Sequence, residues 1–290
     1  MSNSELEIVN CPACDSSDYS VWMLDGKDTR YVKCKSCGTI YASPRASWSS
    51  RYNWLDQEFA YGDNAIENAL IRQEGLSYEA EIIKKYSSSG KLLDIGCDLG
   101  DFFSCFNQSE WKFFGIEVSP SAAEYIRQHY PAEIFTGLLN QTSLKDNNFD
   151  VVTMLDTLFY VDYPKADFKE IFRILKPGGY FAVEMPGLNY QMLRSRGLLC
   201  WLIDRQWTRL CTDSSYICWF SPKGLKKLFT TTGFVVDQTI SIPSPSVSRS
   251  NRSNIYKLAS KIYYNQFKSS SKHVNANSWA PRYLMIGRKP

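Results

Sequence analysis

"LLDIGCDLGDFF", residues 92–103, decides the fold. An apolar strand runs into a turn that carries Gly96 and Gly100, and the apolar residues after it predict a helix. Glycines in such a turn let the backbone approach a ligand closely or take a positive φ. Asp98 stands where a loop of this kind usually carries a further glycine, and Asp is one of the few other residues that tolerate positive φ. The loop therefore reads as a usable site for a nucleotide-like cofactor.

Outward from it, strands and helices alternate. "KLLDI", "FFGIE", "FDVVTML", "YFAVEM", "FVVDQTISI" and the terminal "RYLMIGRK" read as strands. In "SPSAAEYIRQHY", Ser119 is a helix cap and Pro120 takes the first helical position. In "KADFKEIFRILKPGG", Phe168, Ile171, Phe172 and Leu175 fall on one helical face, and Pro177, Gly178 and Gly179 stop the helix. "SPKGLKKLF" repeats the Ser-Pro start. Upstream, Ile66, Leu70, Ile82 and Ile83 predict helical segments interrupted at Gly75. The fold class is α/β, a parallel sheet covered on both faces. Glu117 ends the second of these strands 21 residues beyond Gly96, where a carboxylate can accept hydrogen bonds from both hydroxyls of a ribose. Those features alone also fit a dinucleotide enzyme.

The N-terminal stretch carries "CPAC", nineteen residues, then "CKSC". That spacing matches a four-thiolate zinc site formed by Cys11, Cys14, Cys34 and Cys37, with "YSVWMLD" and "RYVKC" as a small ribbon between the pairs. Two disulfides or four unrelated thiols are the alternatives, and a cytosolic compartment disfavours the disulfides. With four protein ligands the ion has no open position and is structural. It would staple a module too small to rely on its own core.

Composition adds bounds. The chain has 290 residues, 44% hydrophobic and 14% aromatic, as expected of a large core with a small satellite. "MSNSELEIVN" lacks a signal-peptide pattern, and the apolar run "GLLCWLI" is too short to cross a bilayer, so a cytoplasmic protein is expected. The net charge of +3 hides an asymmetry: residues 241–290 hold nine Lys or Arg and no Asp or Glu. The remainder carries 24 basic and 30 acidic side chains. The basic segment suits a phosphorylated substrate, nucleic acid or an anionic membrane, or is simply solvated.

Taken together and in this order, "LLDIGCDLGDFF", "GIEVSP", "FDVVTMLDTLFYVDYP" and "ILKPGGYFAVEMPG" resemble the class I S-adenosylmethionine-dependent methyltransferases. The paired-cysteine ribbon further resembles a bacterial subgroup that includes sugar methyltransferases. The resemblance implies a Rossmann-like, mostly parallel seven-stranded sheet. The chain is expected to divide into a zinc ribbon (1–45), a helical connector (46–88) and a methyltransferase domain (89–290), with the resemblance covering roughly 85–240 and the final strand. A lid would lie at 187–215 and a basic insertion at 241–281. By the same resemblance Asp94 steadies the glycine loop, and Gly96, Cys97 and Gly100 surround the methionine moiety. Glu117 would bind the ribose, and Val118 would lie beside the adenine, where Leu138 takes the place of a common acidic residue. Asp156 would stand beside the reacting methyl group.

The subgroup's Leu-Glu-His after that aspartate is replaced here by Leu158-Phe159-Tyr160, which removes a natural general base. His129 ends a helix, where it complements the dipole, and His273 lies in the basic insertion. Asp156, Tyr160 and Tyr216 are therefore the candidate catalytic residues, with Asp213 nearby, and packing is the alternative role for the tyrosines. Arg194, Arg196, Arg205 and Arg209 in the lid could grip a phosphate. The expected reaction is methyl transfer from S-adenosylmethionine to a small anionic acceptor such as a nucleotide-linked sugar. An RNA methyltransferase is the alternative, but Lys27, Arg30, Lys33 and Lys35 of the ribbon are balanced by Asp15, Asp18, Asp25 and Asp28. A cofactor-binding scaffold without catalysis is the third reading.

Overall fold

A computed structural model of the chain describes residues 6–25, 29–46, 65–189, 216–242 and 280–290. The expected lid arginines, Asp213, His273 and almost all of the basic insertion lie outside the described residues.

The body is a seven-stranded sheet built around the strand of the glycine loop. Five parallel strands are β6 (Gly90–Ile95), β7 (Trp111–Glu117), β8 (Ala132–Thr136), β9 (Phe149–Met154) and β10 (Leu175–Pro186). With β12 (Val235–Ile242) and β13 (Arg282–Arg288) the sheet runs β12-β13-β10-β9-β6-β7-β8. β13 is antiparallel to both neighbours. The strand order reverses beside β6, so the carboxyl ends of β6 and β9 border the crevice where open α/β sheets bind ligands.

The helices form as their sequences dictate. α2 (Pro120–His129) starts at Ser119, whose side chain accepts from the Ala122 N–H, with proline in the first turn. α3 (Pro164–Ile174) buries Phe168 and Ile171 completely, and the Phe168 ring meets Phe181 at 4.8 Å and Phe229 at 5.0 Å. α4 (Pro222–Thr231) is capped by Ser221. Among the described residues no helix is long and apolar enough to cross a membrane.

Three sequence expectations are corrected. α1 (Ala65–Ile83) runs through Gly75 unbroken. Leu76, Ala80 and Ile83 bury one face of it, which offsets the cost of about 1 kcal/mol for an interior glycine. After Gly100 there is a 3₁₀ turn over Asp101–Cys105 in place of the expected helix. Phe102 and Phe103 bury both rings within that single turn. α3 ends at Ile174, before the Pro-Gly-Gly stretch, which instead lies inside β10 at a bulge between Leu175 and Tyr180, so Leu175 belongs to the strand rather than to the helical face.

The cysteine module is a second sheet, ordered β11-β4-β3-β2, from β2 (Tyr19–Asp25), β3 (Thr29–Cys34), β4 (Ile40–Ala42) and β11 (Cys218–Trp219). The fourth strand comes from the body, 176 residues after β4 ends. Two short strands, β1 (Leu6–Glu7) and β5 (Arg45–Ala46), pair beside it.

Candidate active site and metal centre

The penultimate residue of β6 is Asp94, whose buried carboxylate accepts from Thr153 Oγ1 at 2.7 Å and so ties β6 to β9. Gly96 follows with φ 75°, and a β-carbon there would lie 2.3 Å from Thr157 Oγ1. Only glycine fits. Asp98 takes φ 51° and its N–H donates to Glu117 Oε2 at 2.9 Å. The other oxygen, Oε1, accepts from the Ser119 N–H at 2.9 Å. Glu117 is 5% exposed, and burial pushes its carboxyl up to about 7 despite those two donors.

Gly96, Asp98, Glu117 and Thr157 border one cavity of about 700 Å³. At one end lie Gly96, Asp98, Glu117, Val118, Leu138, Leu139 and Asn140. Leu138 is presented by a turn in which its N–H is held by the Gln141 side chain. At the other end lie Asp156, Phe159, Tyr160, Tyr216, Trp219 and Arg282. The rings form a contiguous wall: Tyr160 and Tyr216 are 5.2 Å apart, and Phe159 and Tyr216 are 4.5 Å apart.

The structure thus brings Gly96, Glu117, Val118, Leu138, Asp156, Tyr160 and Tyr216 to a single cavity. It places Asp94, Cys97 and Gly100 behind the loop instead. Cys97 is buried against Gly115, and burial raises its thiol well above the ordinary range. Gly100 opens the 3₁₀ turn with φ 77°. His129 stacks on Tyr125 and meets its carbonyl, away from the cavity.

Four residues of this wall were missed by sequence reasoning. Arg282 pairs with Asp156 and with Glu184, which is 2% exposed. Asp156 is thus ion-paired to Arg282 where it borders the cavity. Its φ of 54° makes it a strained turn residue. Trp219 lies two residues before the Ser-Pro helix signal. Asp162 and Asp167 line the same cavity, and burial, then the neighbouring Asp162, pushes the Asp167 carboxyl up to about 7. No local sequence signal marks Arg282, whose place opposite Pro186 at the carboxyl end of β10 is set by the antiparallel pairing of β13.

In the cysteine module, all four sulfurs lie within 4.8 Å of one another. Three of the separations are 3.5, 3.6 and 3.7 Å. A tetrahedral ion with bonds of about 2.3 Å needs sulfurs about 3.8 Å apart. Each pair sits on a knuckle: the Asp15 N–H donates to the Cys11 carbonyl, and the Gly38 N–H to that of Cys34. Asp15 and Gly38 both take positive φ. The donor set and its spacing fit zinc.

The profile of a family described as a methyltransferase domain matches residues 72–239. The chain belongs to that family. Among its relatives is the sterol 4-C-methyltransferase strm-1 of Caenorhabditis elegans, 30% identical over 54% of this chain and 51% of the relative. Phosphoethanolamine N-methyltransferase 3 of Arabidopsis thaliana is 29% identical over 51% of this chain and 36% of the relative. The methyltransferase chain thus spans about half, or less, of the length of these curated relatives. A similar solved structure is a Thermotoga maritima S-adenosylmethionine-dependent methyltransferase. It has a TM-score of 0.55 and 20% identity, covering 84% of this chain and 99% of that one. A second comes from the complex between the Haloferax volcanii Trm112 methyltransferase activator and a methyltransferase. There the TM-score is 0.57 and identity 17%, over 81% of this chain and 97% of that one. Both share the Rossmann-like methyltransferase fold, with S-adenosylmethionine as the family's cofactor.

Proposed function

We propose that this methyltransferase domain transfers a methyl group from S-adenosylmethionine to a small-molecule acceptor. The observation that carries the reading is the single cavity running from Glu117 to the aromatic wall. It has room for a cofactor and an acceptor to meet within it. When bound, the cofactor supplies a methyl group on a sulfonium, already activated for transfer. Glu117 accepts from the ribose hydroxyls, Val118 and Leu138 flank the adenine, and Gly96 lets the backbone come close. Tyr160, Tyr216, Phe159 and Trp219 orient the acceptor, and orientation alone can supply much of the catalysis. Where the acceptor must lose a proton, Asp167 is the wall carboxylate whose raised pKa suits it to take one.

The acceptor we favour remains small and anionic, such as a nucleotide-linked sugar. Its support is the basic composition of 241–290 and the four lid arginines. A phosphorylated acceptor also appears in the name of one relative, the phosphoethanolamine N-methyltransferase. The described wall is aromatic and carboxylate-lined, and its Arg282 is already paired with Asp156 and Glu184, so the anionic part would be gripped from outside it. RNA is disfavoured by the neutral ribbon, where Lys35 is already paired with Asp18. We assign structural zinc to Cys11, Cys14, Cys34 and Cys37, and a cytoplasmic location consistent with described cysteines that form no disulfide. Elemental analysis finding one zinc per chain supports this, and zinc-free folded protein overturns it.

The test of function is turnover of methyl-labelled S-adenosylmethionine against panels of sugar nucleotides, small phosphorylated amines and RNA. Label in a small molecule supports the reading. Label in RNA alone, or tight cofactor binding with no transfer, overturns it.

A further inference from the structure

The cysteine module reaches past its own sheet and builds the acceptor end of the cavity. Cys218 and Trp219 pair with Tyr41 and Ile40, so Trp219 is carried on the module's sheet. Tyr31 Oη donates to the Tyr216 carbonyl at 2.7 Å, and the Ala42 N–H to the Ile217 carbonyl at 2.9 Å. The Ile217 N–H in turn donates to the Phe159 carbonyl at 3.0 Å, which fixes the turn bearing Phe159 and Tyr160. On the far side Arg45, 4% exposed, donates to Glu7 at 2.7 Å and to the Asp162 carbonyl at 3.1 Å. Two knuckle contacts close the joint. Ser221 Oγ donates to the Cys37 carbonyl at 2.6 Å, and a β-carbon on Gly224 would lie 2.1 Å from Thr39 Oγ1. The cofactor end is held differently. Glu117 takes the N–H groups of Asp98 and Ser119, and Gln141 holds Leu138, all within the body.

We infer that Tyr31 and Arg45 are positioning residues of the acceptor wall. Occupation of the four-thiolate site then governs the acceptor half of the cavity and leaves the cofactor half intact. The division into halves rests on the methyl-transfer reading, but the test needs no acceptor. Amide exchange is followed by mass spectrometry on zinc-loaded protein, on chelator-treated protein and on zinc-loaded Tyr31→Phe, alongside calorimetry with S-adenosylhomocysteine.

Chelation is expected to speed exchange at 216–220 and 158–163 at least tenfold while residues 92–96 are unchanged. Affinity for S-adenosylhomocysteine should stay within about threefold. Tyr31→Phe should loosen 216–218 with zinc and cofactor affinity retained, which a loss of global stability would not do. Arg45→Lys should preserve protection at 158–163 better than Arg45→Met. Unchanged exchange at 216–220 in both zinc-free protein and Tyr31→Phe overturns the inference, as does parallel loss of protection at 92–96. Failure of zinc-loaded wild type to bind S-adenosylhomocysteine would instead count against the methyl-transfer reading.

Discussion

The backbone N–H of Asp98 donates to Glu117 Oε2 across 2.9 Å, so the residue that departs from the usual glycine loop orients the carboxylate that should hold the ribose. The left-handed φ of 51° makes this contact, and it needs no side chain. Glycine would keep both the N–H and the angle. Asp98→Gly is therefore expected to bind S-adenosylhomocysteine within about tenfold of wild type, or 1.4 kcal/mol. Calorimetry checks it, and a larger loss would make the Asp98 carboxylate a ligand.

Glu117 predicts a pH dependence. Its carboxyl sits at about 7 against an ordinary 4.5, so the folded chain binds an extra proton across that window. The stability of the unliganded chain should therefore fall as pH rises from about 4.5 to 7. Ribose hydroxyls prefer the ionised form, so cofactor affinity should rise between pH 6 and 8, by at most tenfold per unit. Glu117→Gln should flatten both profiles, in thermal melts and in titrations.

Gly96→Ala should weaken cofactor binding and stability together. The new β-carbon would meet Thr157 at 2.3 Å, and the φ of 75° adds strain. A loss of about 1–3 kcal/mol is expected from strain at such a site. Adding Thr157→Ala removes the closest atoms and should recover part of the melting temperature.

Arg282 serves the buried Glu184 as well as Asp156. Arg282→Met leaves a carboxylate that is 2% exposed without its cation, which costs about 3–5 kcal/mol. The double variant with Glu184→Leu should restore most of that stability in denaturant titrations, since no buried charge is then left alone.

Much of this arrangement could be read from local pattern. The glycine loop, the Ser119 and Ser221 caps, the apolar face at Phe168 and Ile171, and the cysteine spacing are each set by residues close in sequence. Glu117 was findable because a strand end fixes where its carboxylate falls. Arg282 was not, because its partners arise only when the last strand inserts antiparallel beside β10. Trp219 was hidden for the same reason, since nothing local says that its two-residue strand completes a sheet begun 200 residues earlier. Gly75 misled because burial of Leu76, Ala80 and Ile83 outweighs the local preference of one glycine.

The most direct test of the central claim is calorimetric titration of the purified, zinc-loaded chain with S-adenosylmethionine and S-adenosylhomocysteine. Saturable binding of one molecule per chain is predicted, weakened at least tenfold in Glu117→Gln at pH 8. A folded chain that binds neither compound at millimolar concentration would contradict the account.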